Sequence, residues 1–190
     1  NKKVTFGYNN QDTTFSGTIS QYNNDGYDLV KVGTGTTTFS NTSSNAHQDD
    51  VNGINVQAGK VILSGNWGRN NDSNGNFNIE SGATLEIDSS INNSFDGVLS
   101  GAGTLLLGGS GTQTFSGNNT FSGIINIADG GFKAEHNNAL GSVTSVTSSG
   151  GRISTASSIT LPSLIVSGNV QLDSGITTTG AQTYTSDVLV

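Results

Sequence analysis

The 190-residue chain has no cysteine, no methionine, one proline and one tryptophan. Without cysteine there is no disulfide framework, no thiol nucleophile and no thiolate metal ligand. Basic residues are also few: seven Lys and Arg against fourteen Asp and Glu give a formal net charge of −7. That argues against a nucleic-acid binder, because phosphate contacts need a basic patch and these seven residues are scattered. Long apolar runs are missing too. No stretch approaches the roughly 18 to 20 consecutive apolar residues of a spanning helix, so no membrane insertion by this segment is expected. Lys2 and Lys3 are followed by polar residues rather than an apolar leader, so the chain is expected to be a cut fragment or a mature product. Strong helix formers are scarce, whereas 27 Gly, 26 Ser, 23 Thr and 23 Asn fill 99 of the 190 positions. A helix bundle is therefore excluded.

Such a composition fits either a disordered chain or an all-β structure with a thin core and many turns. Only 11% of residues are charged, whereas unfolded chains usually combine low hydrophobicity with high net charge, and this favours the β structure. The apolar residues also alternate in short runs: Thr84-Leu85-Glu86-Ile87-Asp88, Gly53-Ile54-Asn55-Val56-Gln57, Lys60-Val61-Ile62-Leu63, Ile124-Ile125-Asn126-Ile127 and Asn169-Val170-Gln171-Leu172. Each has the length of one strand and is bounded by Gly, Ser or Asn. Pro162 lies between two short apolar stretches, where an edge or turn is expected.

The chain also repeats itself. Phe15-Ser16-Gly17-Thr18-Ile19 matches Phe95-Asp96-Gly97-Val98-Leu99 at an offset of 80. Leu29 to Ser40 matches Leu105 to Ser116 at an offset of 76, and Ile54 to Gly59 matches Ile125 to Gly130 at 71. Order is kept while spacing shrinks, as in a solenoid whose strands stack and whose loops vary in length. Strand signals recur about every 20 to 25 residues. The predicted fold is all-β, a right-handed parallel β-helix of about eight or nine coils. It forms a single segment over 1–190, with repeat one at about 13–64, repeat two at about 93–142 and weaker coils over 143–190.

Gly101-Ala102-Gly103-Thr104-Leu105, Gly109-Ser110-Gly111-Thr112, Asn119-Thr120-Phe121-Ser122-Gly123 and Asn138-Ala139-Leu140-Gly141 together resemble the autotransporter-associated β-strand repeat. The pattern departs at its A-G-x-L step, which reads Asp129-Gly130-Gly131-Phe132 in one copy and Ala58-Gly59-Lys60-Val61 in the other. Ile176-Thr177-Thr178-Thr179-Gly180 to Tyr184 resembles repeats of large haemagglutinin-type exoproteins instead. The resemblance implies a β-helical passenger segment of a type V secretion system, at the cell surface or released from a Gram-negative bacterium, with no catalytic residues. Expected partners are a host-surface or matrix protein, a glycan, or identical passengers by self-association. The lack of cysteine agrees with export through an outer-membrane pore in an unfolded state.

Chemistry-bearing residues are sparse. His47 and His136 have no G-x-S-x-G turn to serve, and His136 sits in the N-A-L-G turn as a loop residue. No metal motif occurs; Asp25 with Asp28 and Asp49 with Asp50 read as solvated loop carboxylates rather than a calcium site, and no cofactor is expected. Glu86 and Asp88 alternate with Leu85 and Ile87 and therefore share an outward face. Two carboxyls so placed can flank a glycosidic bond, yet any half-buried strand shows the same pattern and nothing marks a cleft. No enzyme is expected. The binding candidates lie on three longer excursions: Tyr22 and Tyr27 in Gln21 to Asp28, His47, Asp49 and Asp50 in Asn41 to Val51, and Trp67 and Arg69 in Asn66 to Asn76. Trp67 and the two tyrosines either project as binding rings or fold back over the coil faces. The leading function is a non-enzymatic stalk for adhesion, self-association or biofilm contact. The alternatives are a polysaccharide-binding or polysaccharide-degrading β-helix, and a repeat that only assists secretion and folding.

Overall fold

The computed structural model describes residues 2–19, 26–40, 51–67, 75–155, 159–168, 170–172, 176–185 and 188–189. Among these residues there is no helix, and 22 strands, numbered in chain order, all pair in parallel. The chain winds as a β-solenoid of about seven turns, slightly fewer than the eight or nine expected. Wall A stacks β1 (Lys2–Phe6), β3 (Tyr27–Lys31), β5 (Val51–Val56), β7 (Asn76–Ile79) and β10 (Leu99–Gly101). Wall B is the longest. It runs from β2 (Thr13–Phe15) through β4 (Thr36–Phe39), β6 (Lys60–Leu63), β8 (Thr84–Ile87), β11 (Thr104–Leu107), β13 (Ile124–Ile127) and β15 (Ser145–Ser148) to β18 (Leu164–Val166) and β21 (Gln182–Tyr184). Wall C holds β9 (Asn93–Phe95), β12 (Thr112–Phe115), β14 (Gly131–Ala134), β16 (Arg152–Thr155), β19 (Val170–Leu172) and β22 (Val188–Leu189). A separate two-stranded sheet pairs β17 (Ile159–Leu161) with β20 (Ile176–Thr178), in the place in chain order that wall A strands hold in earlier coils. Pro162 falls in the turn between β17 and β18, as its missing N–H requires.

Register along wall B measures each coil. Thr37 stacks on Thr13, Val61 on Thr37 and Leu85 on Val61, 24 residues apart each time. Leu105 on Leu85 and Ile125 on Leu105 are 20 apart, Val146 on Ile125 is 21, and Leu164 on Val146 and Gln182 on Leu164 are 18. The solenoid thus narrows along its length, and its last coils are shorter than the predicted 20 to 25 residues. The sequence repeat is not a whole number of coils. Phe15 lies on wall B and its match Phe95 on wall C; Leu29 and Ile54 lie on wall A and their matches Leu105 and Ile125 on wall B. Each copy is displaced three coils along and one wall round. The shift is tolerated because every wall asks for the same thing, alternate residues pointing inward.

Those inward residues form columns. On wall B, Val61, Leu85, Leu105, Ile125, Val146 and Leu164 stack in register beside Leu63, Ile87, Leu107 and Ile127. Aromatic rings do the same: Phe115 stacks between Phe95 at 5.2 Å and Phe132 at 5.4 Å, and Phe77 meets Phe95 edge-on at 5.3 Å. Backbone bonds continue the ladder past the strands, as in Ser64 N–H to Phe39 O, Asp88 N–H to Leu63 O and Gly108 N–H to Ile87 O. Corners bring backbone against backbone. At Gly59 and Gly130, both with φ of +68°, an added Cβ would stand 2.5 Å from Gly35 O and 2.3 Å from Gly109 O respectively. Only glycine fits there. Interior amides cover the remaining polar groups: Asn93 Nδ2 donates to Gln113 Oε1 at 2.8 Å, and Asn119 accepts from Leu99 N–H and donates to Ala139 O. Both Asn93 and Asn119 are buried.

At the β1–β2 end the columns open into a cavity of about 540 Å³ lined by Val4, Phe6, Phe15, Ile19, Tyr27, Leu29 and Phe39, with threonine hydroxyls around it. Val4 and Phe15 are 44% and 41% exposed there. Mid-stack residues are the more costly to lose. Phe115→Ala is expected to destabilise by about 3–5 kcal/mol, since it removes a buried ring and both stacked contacts, whereas Phe15→Ala at the open end should cost less than half as much; urea unfolding of the two variants checks this order.

Candidate functional site

Tyr22, His47, Asp49, Asp50 and Arg69 lie outside the described residues, as does Asp25. The topology nevertheless relates their segments. Residues 20–25 lead into β3, 41–50 into β5 and 68–74 into β7, and these three strands are consecutive neighbours in wall A, where Gly53 pairs with Asp28 and with Asn76. The strands that follow these segments in the chain therefore begin at the same edge of one wall at successive levels, which the sequence alone does not reveal.

The two described rings among the candidates behave differently. Trp67 folds back: it is 6% exposed, its ring meets Phe39 at 5.4 Å, its indole N–H donates to Ser64 O, and its backbone N–H donates to Asn93 Oδ1. It fills the core and presents no binding face. Tyr27 is half-buried against the core, with the Lys2 ammonium 5.8 Å from its ring centroid.

Beside Tyr27, the outer face of wall A carries a groove of about 310 Å³. Lys3, Asp28, Gly53 and Asn76 follow one another in register along one column, and Val30, Asn55 and Asn78 along the next. The pairing of β3 with β5 is bulged here: Tyr27 pairs with Val51 and Asp28 with Gly53, leaving Asn52 as the extra residue. A bulge twists the strand and re-aims its side chains. Gly53 has no room for a side chain, as a Cβ would come within 2.8 Å of Asn76 O, and so the column dips between Asp28 and Asn76. Asn78 Nδ2 donates to Asn55 Oδ1 at 3.1 Å and to Glu80 Oε1 at 2.6 Å, Asn78 Oδ1 accepts from Ser100, and Asn76 Oδ1 accepts from Val98 N–H. Among the described residues neither Lys3 nor Asp28 forms an ion pair, and the amide nitrogens of Asn55 and Asn76 have no acceptor.

Glu86 and Asp88 project from the outer face of wall B, as the alternation predicts. Glu86 is ion-paired to Lys60, and a Cβ at Gly108 would lie 2.9 Å from Glu86 Oε1 and 3.8 Å from Asp88 Oδ1. The pair therefore sits on a flat ladder rather than in a cleft, with Glu86 held by a lysine. His136 serves its turn, its Nδ1 accepting from Asn138 N–H while its carbonyl accepts from Ala139 N–H. Among the described residues no three His, Asp or Glu gather into a metal-binding group, and no helix is long and apolar enough to cross a membrane.

One functional oddity of the sequence lies inside. Lys31 follows the same alternation as Leu29 and so points inward, where it is fully buried. Its ammonium donates to Val32 O and Gly33 O at 2.7 Å and to Ala58 O at 3.3 Å, fastening the corners of two successive coils. The signal was present in Leu29-Val30-Lys31, where strict period-2 reading puts the lysine in the core.

Comparison with known proteins gives no relative: no protein-family model matches the chain, and no curated protein and no solved structure shows significant similarity to it.

Burial pushes the Lys31 pKa below its ordinary 10.5, and the Asp12 carboxylate only partly restores it. Between the lowered folded value and 10.5 the unfolded chain binds more protons than the folded one, so stability rises with pH across that window. Lys31→Met keeps an apolar stem and is expected to abolish this alkaline rise, measured as the pH dependence of the urea midpoint.

Proposed function

We propose that the chain is a non-enzymatic β-solenoid stalk of a secreted bacterial surface protein, displayed at or released from the cell surface and acting in adhesion and self-association. The observation that carries this reading is the outer face of wall B. Nine strands stacked about 4.8 Å apart make a ladder about 38 Å long and, at two outward residues per strand, about 13 Å wide. Its outward side chains are Thr14, Thr36, Thr38, Lys60, Ile62, Thr84, Glu86, Thr104, Leu106, Ile124, Asn126, Ser145, Thr147, Ile165 and Thr183. Lys60 and Glu86 neutralise one another, so among the described residues this face carries only the single charge of Asp88 at its edge, on a chain that carries −7. Copies therefore repel one another only weakly across it. Ile124 and Ile165 are each 40% exposed, which gives a flat surface apolar points among hydroxyls.

Two such faces laid together bury about 1,000 Å² in all, the lower limit for a specific contact. The association is thus weak for one segment and strong for many in parallel, as suits surface-displayed stalks. The resemblance to passenger repeats and the cysteine-free composition support the same reading. So does the placement of Glu86 and Asp88, which offers no enclosed pair of carboxylates for glycoside chemistry.

Purified chain is expected to associate reversibly in analytical ultracentrifugation, and more strongly as salt screens the net charge. Leu106→Lys with Ile165→Lys should weaken the association at least ten-fold without lowering the thermal midpoint by more than a few degrees. A chain that stays monomeric at hundreds of micromolar in both low and high salt would overturn the self-association reading.

A further inference from the structure

We infer that the groove on the outer face of wall A is a binding site for a neutral saccharide, held by Asp28, Asn55, Asn76 and Lys3 over the step at Gly53. The inference rests on the surface-display reading only for its purpose; the contact itself is a property of the purified chain.

The groove's free groups are of both kinds. The Asp28 carboxylate is an acceptor without an ion-pair partner, while the Lys3 ammonium and the amide nitrogens of Asn55 and Asn76 are donors without acceptors among the described residues. A sugar hydroxyl donates and accepts at once, so a ring carrying neighbouring hydroxyls can satisfy this mixed set, with the carboxylate accepting from its O–H groups and the amide N–H groups donating to its oxygens. Lys3 and Asp28 cancel in formal charge, which favours a neutral ring over an acidic one on a chain already at −7.

Two features make the place a built one rather than a patch of polar surface. Asn78 binds Asn55 Oδ1, Glu80 and Ser100 together, and this fixes the Asn55 amide with its nitrogen unused. Gly53, kept free of a side chain by the backbone of Asn76, leaves a gap one coil tall between Asp28 and Asn76, floored by the buried Val30. The groove's volume of about 310 Å³ lies at the small end of the roughly 300–1,000 Å³ range of ligand sites. A peptide strand is a poorer occupant: the floor is the face of a sheet whose backbone groups are engaged in the ladder to β1, β5 and β7, so no main-chain pairing is on offer.

Ligand-observed NMR on the purified chain, with cellotetraose, mannotetraose and N-acetyllactosamine as probes, tests this. At least one probe is expected to bind, with Asp28→Asn and Asn55→Ala each weakening it at least ten-fold while circular dichroism and the thermal midpoint stay those of the parent. Leu106→Lys with Ile165→Lys, which targets wall B, should leave saccharide binding unchanged, so failure of self-association and failure of this site are told apart. Absence of binding for all three probes at millimolar concentration overturns the proposal, as does binding that Asn55→Ala leaves intact. Asn55→Ala alone decides the matter if Asp28→Asn does not fold.

Discussion

The parallel hydrogen-bond ladder between successive coils is the constraint on which the rest of the structure depends. Every coil must return to the same place about 4.8 Å further along, with its N–H and C=O groups aligned to those of its neighbour. That requirement explains the unusual composition. Gly59 and Gly130 mark corners where one coil's backbone runs against the next too closely for a Cβ. Asn93, Gln113 and Asn119 stand where an inward amide can supply a partner that the backbone lacks. Lys31 is the same solution with an ammonium, gathering three carbonyls at the corners of two coils at the cost of burying a charge.

Because the ladder fixes the backbone, the apolar residues have little to do beyond filling a narrow channel. One or two inward side chains per strand suffice, which is how a chain with only 32% hydrophobic residues buries Leu85, Leu105, Ile125 and Leu164 completely or nearly so. The same economy leaves the outside free to vary. Wall B is long and carries little net charge, whereas wall A is bulged beside Asp28, stepped at Gly53 and lined with amides. One rigid scaffold thus offers two unlike surfaces, the first suited to a repeated weak contact and the second to a small polar ligand. Neither needs motion, since both are set by register.

Much of the fold was legible in the residues. The run Lys60-Val61-Ile62-Leu63 is β6 and Ile124-Ile125-Asn126-Ile127 is β13, because strict alternation between two turn signals has only one reading when a single face is buried. Thr36-Thr37-Thr38-Phe39 was harder to read, as threonine is content on either face, and only the stacking of Thr37 on Thr13 and below Val61 says which hydroxyl turns inward. The candidate site was far less legible. Trp67 invited a binding role and proved to be core, since its backbone N–H is tied to Asn93 and its ring packs against Phe39. Asp28, Asn55 and Asn76 drew no notice as a group, being 48 residues apart end to end and alike in type to dozens of other polar positions.

Sequence by itself determined that this protein is all-β, that its strands stack in repeating coils, and which residues of a given strand point inward, because alternation and turn chemistry are local and each strand carries them in full. Only the tertiary structure decided how many residues make a coil, on which wall each strand lies, and which side chains from different coils become neighbours. Those depend on the lengths of the corners, which sum along the chain: the copies matched in sequence stand three coils and one wall apart, and a change of a residue or two per turn would have placed Lys3, Asp28, Gly53 and Asn76 on different faces rather than in one column.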